Sequence, residues 1–370
     1  MYLAPEQEKP DVFVESHNFF PDWYLVSLLK AKHAARKLGR KKNTGMQNTS
    51  DPIIQPAGFY IVALSSMPYS NVYVMFLTVI YVITIMCNVF LIAIIFYDHR
   101  LHVPKFMAVG SLALVDLVLS TSLVPGMIKT YIVLDNFVPF KLCLAQMFTY
   151  YNFVSLESLS LCILSYDRFI AICFPLKQKS INTNIRMAYI ICTVWFFNSV
   201  RSLYGPSSIS TLSFCGSLKV NSYFCDFAPV LRLSCSDITT QWNFATTSTI
   251  LFSSVPLIFI FLTYMGILIA VYRMKNNQSR YKALATCTEH LILVAIFFIP
   301  IFIIFNLGLF GIVINPIVRT VCLSLSTLLP PCVNPILYSL KTKEIQSRIH
   351  SLFKRRSFLI GISQEAADSS

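Results

Sequence analysis

Leu164–Leu176 reads LSYDRFIAICFPL and places the acidic Asp167 beside the basic Arg168 where a long apolar run ends. The run covers roughly residues 142–164 and is long enough to cross a bilayer as a helix. Charged side chains at that depth are costly and usually serve a function. The stretch therefore predicts a functional acid–base pair at the end of a membrane helix. A pair that only anchors the helix at the interface is the alternative.

The rest of the chain repeats this apolar pattern. Its 370 residues are 55% hydrophobic and 13% charged, whereas soluble proteins average about 25% charged residues. The apolar runs are continuous and lack the alternation of a membrane barrel, so they predict helices. We expect an all-α membrane protein, a bundle of seven transmembrane helices at residues 72–97, 106–130, 142–166, 186–205, 243–271, 283–306 and 316–340.

The distribution of basic residues predicts the orientation. With the amino terminus outside, the cytoplasmic loops and tail carry more Lys and Arg than the extracellular loops, as the positive-inside rule requires. The net charge of +13 is therefore explained by topology and not by nucleic acid. We expect an extracellular tail at 1–70, the seven-helix domain at 71–340 and a cytoplasmic tail at 341–370. A short amphipathic cytoplasmic helix should follow the seventh span.

The amino-terminal tail allows two interpretations. The basic run Lys30–Lys42 lies on the side predicted to be external, and no signal peptide precedes it. Residues 1–45 are either an upstream extension of a protein that starts at Met46 or a genuine disordered tail. Asn48 begins the sequence Asn-Thr-Ser, which is a glycosylation acceptor on an extracellular segment.

Four of the 11 cysteines lie on the predicted extracellular side. They are Cys143, Cys215, Cys225 and Cys235. An oxidising compartment favours two disulfides among them, and their spacing leaves all three pairings open. Such bridges would hold the loop between spans four and five over the mouth of the bundle.

Two other functional classes are disfavoured by the sequence. It lacks the HExxH motif, the glycine-rich phosphate loop and the paired-cysteine zinc pattern, so an enzyme is not expected. A transporter would show internal repeats in matching halves, and the seven unequal spans show none.

Several motifs together resemble the olfactory receptors of the rhodopsin-like class of G-protein-coupled receptors. Beside Leu164–Leu176, these are LHVPKF at 101–106, KALATCTEHL at 282–291 and PPCVNPILYSLKTKE at 330–344. The resemblance implies disulfides Cys143–Cys225 and Cys215–Cys235. A receptor for a lipid, nucleotide or peptide outside the olfactory family is the alternative.

The resemblance also implies location and partners. The chain should be a multi-pass protein of the plasma membrane in sensory cilia, surrounded by lipid. A small odorant should bind it, and an olfactory stimulatory G protein should then raise cyclic AMP. Nucleic acid is not an expected partner, and the sequence leaves a receptor dimer open.

The resemblance further assigns roles to single residues. A salt bridge of Asp167 with Arg168 should hold the resting state, and the expected G-protein switch comprises Asp167, Arg168, Tyr264, His290, Asn334, Pro335 and Tyr338. Two acids in the bilayer either share a proton or bind a cation. The resemblance favours an allosteric sodium ion, the one candidate cofactor, at Asn88, Asp116, Glu157 and Asn334.

The ligand pocket is expected among spans three, five, six and seven. Its predicted residues are Met147, Tyr150, Tyr151, Val154, Ser155, Ser248, Thr249, Phe252, Phe298, Ile301, Phe305, Ser324 and Thr327. They are mostly apolar with a few hydroxyls, which suits a small organic ligand. Tyr150 stands where amine receptors carry an acid, which disfavours a cationic amine. Arg201 in span four is a weaker candidate contact for an acidic odorant.

Overall fold

The computed structural model describes residues 53–65, 67–309, 315–341 and 345–347. Within them the chain forms seven long helices, each of which overlaps one predicted span. They are α1 (Ser70–Tyr97), α2 (Pro104–Tyr131), α3 (Phe140–Cys173), α4 (Asn184–Ser202), α5 (Thr239–Arg273), α6 (Asn277–Leu309) and α7 (Pro316–Lys341). The main differences are that α3 continues past residue 166 and that α6 begins earlier than predicted.

Five described helices are long and apolar enough to cross a membrane: α1, α2, α5, α6 and α7. The other two long helices are more polar, and α3 carries Glu157, Asp167 and Arg168. Helix α3 packs against α2, α4, α5 and α6, so much of its surface meets protein and not lipid. An interior helix can therefore carry polar side chains that a lipid-facing helix cannot.

The backbone carbonyl that one helix proline leaves free has a hydrogen-bond donor on a neighbouring helix. Pro125, Pro256, Pro300 and Pro335 all lie within helices, as the sequence predicted. A proline donates no hydrogen bond to the carbonyl four residues earlier, and for Pro335 that carbonyl belongs to Pro331. The side-chain Nδ2 of Asn88 on α1 donates to this oxygen at 2.9 Å. A neighbouring helix thus satisfies the group that the proline leaves free.

One end of the bundle is covered by short strands that the sequence analysis did not predict. We call this region the cap, meaning the five strands and the loop of residues 203–238. The strands are β1 (Ile53–Ile54), β2 (Gly58–Ile61), β3 (Phe137–Pro139), β4 (Ser213–Phe214) and β5 (Lys219–Val220). Strand β1 pairs antiparallel with β4, while β2 lies between antiparallel β3 and parallel β5.

The cap has its own apolar core and two disulfides. Phe59 is 0% exposed, and its ring lies 6.0 Å from that of Phe140 and 5.3 Å from that of Phe214. A Cβ at Gly58 would clash with the carbonyl oxygen of Val138, so only glycine allows β2 and β3 to approach so closely. The two expected disulfides, Cys143–Cys225 and Cys215–Cys235, are both present.

Some predicted features lie outside the described residues. These are the tail 1–45, the glycosylation site Asn48 and most of the helix expected after the seventh span. Of that last segment, residues 345–347 are described and are helical.

The core of the cap gives a direct prediction. Replacing Phe59 with Ala should lower the melting temperature of the purified protein, because it empties a filled apolar site at a cost of about 3 kcal/mol. The matched control is Tyr60→Ala in the same strand, since Tyr60 is 43% exposed. Equal melting temperatures for the two variants would contradict the conclusion that Phe59 of β2 stabilises the core of the cap.

Candidate functional site

Polar side chains meet in the middle of the bundle. Asn334 on α7 donates through Nδ2 to both carboxylate oxygens of Asp116 on α2, at 3.3 and 3.0 Å. Asp116 and Glu157 are both 0% exposed. The two carboxylate oxygens of Glu157 and the side-chain oxygens of Asn88 and Asn334 are buried without a hydrogen-bond donor.

This arrangement fits a small hard cation or a shared proton. Buried oxygens that lack a donor are costly unless a proton or a metal ion satisfies them. Among the described residues no three His, Cys, Asp or Glu side chains cluster as metal ligands. The ligand set here is instead two carboxylates and two amides, and oxygen ligands of this kind suit a hard cation better than a metal that prefers sulfur or nitrogen.

The end of the bundle opposite the cap holds most residues of the predicted G-protein switch. The hydroxyl of Tyr264 on α5 lies 2.8 Å from Nδ1 of His290 on α6, and both side chains are buried. Tyr264 belongs to an apolar cluster between the helices, and Tyr338 of α7 packs against that cluster. Asn334 lies apart from this end, in the central polar cluster, and Pro335 follows it on α7.

The direct salt bridge expected between Asp167 and Arg168 is wrong. Asp167 accepts a hydrogen bond from Asn182 Nδ2 at 2.8 Å. The ion pairs found among the described residues join Lys129 to Asp135 and Arg319 to Asp226. Adjacent residues on a helix point in different directions. Asp167 can therefore meet the loop after α3 without forming a salt bridge with its neighbour Arg168.

The predicted ligand residues nearest the cap lie under its loop. The rings of Tyr150 and Phe224 are 4.1 Å apart, and the hydroxyl of Tyr151 donates to Asp226 Oδ1 at 2.6 Å. Met147 is fully buried in the apolar core of the cap. The disulfide of Cys225 with Cys143 on α3 keeps these loop residues against the helix.

An ion pair that the sequence analysis missed ties this loop to α7. Arg319 Nη2 lies 3.1 Å from Asp226 Oδ2, and the Asp226 side chain is 5% exposed. Burial lowers the pKa of the neighbouring Arg232 guanidinium; Arg319 lowers it further and Asp226 opposes the change. Two signals were available: Asp226 directly follows a disulfide cysteine, and Arg319 is a charge inside an apolar span.

A second polar group lies deeper, where α3, α4 and α5 meet. Arg201 on α4 donates to Ser155 Oγ at 3.0 Å, and its guanidinium carbon lies 3.8 Å from the centre of the Phe252 ring. Ser248 and Thr249 are half-buried on the same helix as Phe252.

The remaining predicted ligand residues pack between helices. Phe298 and Ile301 belong to the apolar cluster of Tyr264, and Val154 packs against it. Ser324 Oγ lies 2.7 Å from the hydroxyl of Tyr73 on α1, and Thr327 donates to the carbonyl of Leu323. The Phe305 side chain lies outside the described residues.

The long apolar helices and the buried polar contacts between them are those of a multi-pass helical membrane receptor. The family model for the olfactory receptors matches residues 77–356, and the chain belongs to this family. It is 30% identical over 299 residues to human olfactory receptor 51E2, covering 80% of this chain and 93% of that protein. It is 33% identical over 289 residues to human olfactory receptor 2A12, with 76% and 91% covered.

A mouse relative extends the likeness beyond human proteins. The chain is 28% identical over 302 residues to mouse olfactory receptor 1M1, covering 80% of this chain and 95% of that protein. The family assignment decides against a receptor outside the olfactory family, and it agrees with the expectation that the chain is not an enzyme.

The ion pair between the cap and α7 can be tested by a double-mutant cycle. Asp226→Asn and Arg319→Gln should each lower the melting temperature, and the double variant should lose less than their sum, because breaking one partner leaves a buried charge unpaired. Asp135→Asn with Lys129→Gln is the matched control, since both side chains of that pair are largely exposed. Additive effects in the Asp226–Arg319 cycle would contradict the pairing.

Proposed function

We propose that this chain is an odorant receptor of the plasma membrane that binds a small organic molecule in the cap half of the bundle and activates a heterotrimeric G protein. The proposal includes seven membrane crossings, an extracellular amino terminus and a cytoplasmic carboxyl terminus. It also includes the olfactory stimulatory G protein, a rise in cyclic AMP and a location in sensory cilia. Its support is the family together with the distribution of charge and polar contacts along the bundle.

The observation that carries this proposal is the position of α3. At its cap end, Tyr151 donates to Asp226 of the loop. At its other end, Asp167 accepts from Asn182. One continuous helix, Phe140–Cys173, therefore contacts both the proposed ligand region and the proposed G-protein face.

Activation is a shift between two arrangements of the same helices. A ligand changes this equilibrium only by binding one arrangement more tightly than the other. A ligand beside Tyr151 and Ser155 would contact α3 directly, and α3 carries Arg168 at its far end. Among the described residues no salt bridge joins Arg168 to Asp167, so contact between Arg168 and the G protein would not require such a bridge to break.

The Tyr264–His290 contact is the proposed point of change between α5 and α6. The contact is a single hydrogen bond between two side chains, and a bond of this kind inside a membrane bundle contributes about 0.6 kcal/mol on average. A ligand with modest differential affinity is therefore able to break it. The freed hydroxyl of Tyr264, together with that of Tyr338, would then stabilise Arg168 in the active arrangement.

A sodium ion at Asp116 and Glu157 is the proposed allosteric regulator. The carboxylates and the side-chain oxygens of Asn88 and Asn334 would hold it. When bound, the ion would offset the negative charge of the two carboxylates and would stabilise the resting packing of α1, α2, α3 and α7.

The switch assignment predicts the effect of losing one guanidinium. Arg168→Ala should abolish the cyclic AMP response to pooled acids, aldehydes, amines, amino acids and steroids, while surface expression stays near normal. Arg100→Ala is the matched control, because Arg100 is an exposed arginine at the same end of the bundle. A full response from Arg168→Ala would contradict the assignment.

The sodium proposal predicts a salt effect on stability. Sodium chloride should raise the melting temperature more than choline chloride, by the equivalent of about 1.4 kcal/mol at ten times the dissociation constant. Glu157→Gln should remove the difference, whereas Asp135→Asn, an exposed carboxylate, should keep it. An identical response to both salts in the unmodified protein would favour protonated acids over sodium.

A further inference from the structure

Arg201 is a cation within the helix bundle, and the side chains that accept its hydrogen bonds are all neutral. Its Nη2 donates to Ser155 Oγ at 3.0 Å, to Asn198 Oδ1 at 3.2 Å and to Ser202 Oγ at 3.0 Å. The guanidinium also stacks over the ring of Phe252. The two ion pairs found among the described residues do not include Arg201.

The partners of Arg201 are themselves fixed in place. Asn198 donates through Nδ2 to the backbone and side-chain oxygens of Asn152, at 2.9 and 2.7 Å, so its own oxygen must face Arg201. Ser155 donates to the carbonyl of Tyr151 and thus presents a lone pair to the guanidinium. The site is therefore built by side chains of α3, α4 and α5 and is not a flexible surface arginine.

The hydrogen-bonding of the guanidinium is incomplete. Three acceptors share Nη2, which has only two N–H groups, while Nε is buried without any acceptor. A buried charge without a counter-charge is costly in a low-dielectric interior. A carboxylate would correct both defects, because one oxygen can replace a serine hydroxyl at Nη2 while the other reaches Nε.

We propose that Arg201 anchors the acidic group of the ligand, and that the receptor therefore recognises small carboxylic acids with an apolar tail. This inference rests on the proposed odorant-binding function and names the ligand class. Ser155 and Phe252 belong to both the predicted ligand set and the arginine site, which places the acid against the ligand-contacting face of α3. The aromatic ring of Phe252 provides an apolar wall beside the charge, which suits the tail.

One excess positive charge lies at the junction of the cap and α7. The charged side chains of the cap itself, Lys219, Arg232, Asp226 and Asp237, balance, and Arg319 on α7 pairs with Asp226. Arg232 lies close enough for both members of that pair to affect its pKa. An anion approaching from the cap end would be attracted by the excess charge.

The test uses the full-length receptor, purified into lipid nanodiscs, and measures thermal stabilisation. The probes are straight-chain carboxylates from propanoate to decanoate, each compared with its methyl ester at neutral pH. We expect at least one acid to stabilise the protein at lower concentration than its ester. Arg201→Gln should weaken the acid about 10- to 100-fold and leave the ester unchanged, whereas Arg201→Lys should retain a preference for the acid.

Two further variants keep the test decisive. Ser202→Asp supplies an internal carboxylate beside the guanidinium, so it should raise the intrinsic melting temperature and weaken acid binding even if Arg201→Gln does not fold. Lys219→Gln removes an exposed positive charge from the cap and should leave the preference intact. No preference for any acid over its ester, or equal acid binding by Ser202→Asp and the unmodified receptor, would overturn the inference.

A parallel cyclic AMP assay separates this inference from the proposed function. Activation by neutral odorants together with a failure of every acid to bind would leave an odorant receptor and overturn the carboxylate site. Acid binding that depends on Arg201, without any G-protein response to any compound, would keep the site and overturn the signalling function.

Discussion

The structure depends on one constraint: inside the hydrocarbon, every polar group must find its partner within the protein. The consequence is a series of hydrogen bonds between helices, in which Asn88 meets the carbonyl of Pro331, Asp116 meets Asn334, Asn152 meets Asn198 and Tyr264 meets His290. Apolar side chains pack against lipid and against each other with little preference for one register. These polar contacts therefore fix how the helices are placed, and they bring the candidate functional residues together.

The same contacts explain how a stable bundle can still switch. Hydrogen bonds between membrane helices average about 0.6 kcal/mol, so single contacts can be exchanged at low cost. Helix α3 contributes Asn152 to this series and is also bonded to α5 through Ser158 and to α4 through Ser155. It runs from the cap to the opposite end, where it carries Arg168. The disulfide from Cys143 to Cys225 holds the loop of the cap against this helix. In the proposed mechanism a change at the cap would therefore be transmitted along α3.

Much of this was predictable from the sequence, for physical reasons. A transmembrane helix must be long, continuous and apolar, and each of the seven predicted spans overlaps an observed helix. The four cysteines predicted to be external limited the disulfides to three pairings. The strands of the cap were not predictable, because β2 pairs with segments far away in the chain and none has a long alternating pattern. The Asp226–Arg319 pair joins residues far apart in sequence. The Asp167–Arg168 bridge was carried over from the family resemblance, and a motif does not fix which way its side chains point.

In the proposed mechanism, a ligand in the cap half of this bundle controls a G protein at the opposite end. The most direct measurement is nucleotide exchange on a purified stimulatory G protein by the receptor reconstituted in lipid vesicles, with and without pooled carboxylic acids, aldehydes, amines and steroids. We expect faster nucleotide exchange on the G protein with the pooled odorants than without them. Exchange equal to that of receptor-free vesicles under both conditions, with correctly inserted receptor confirmed, would contradict it.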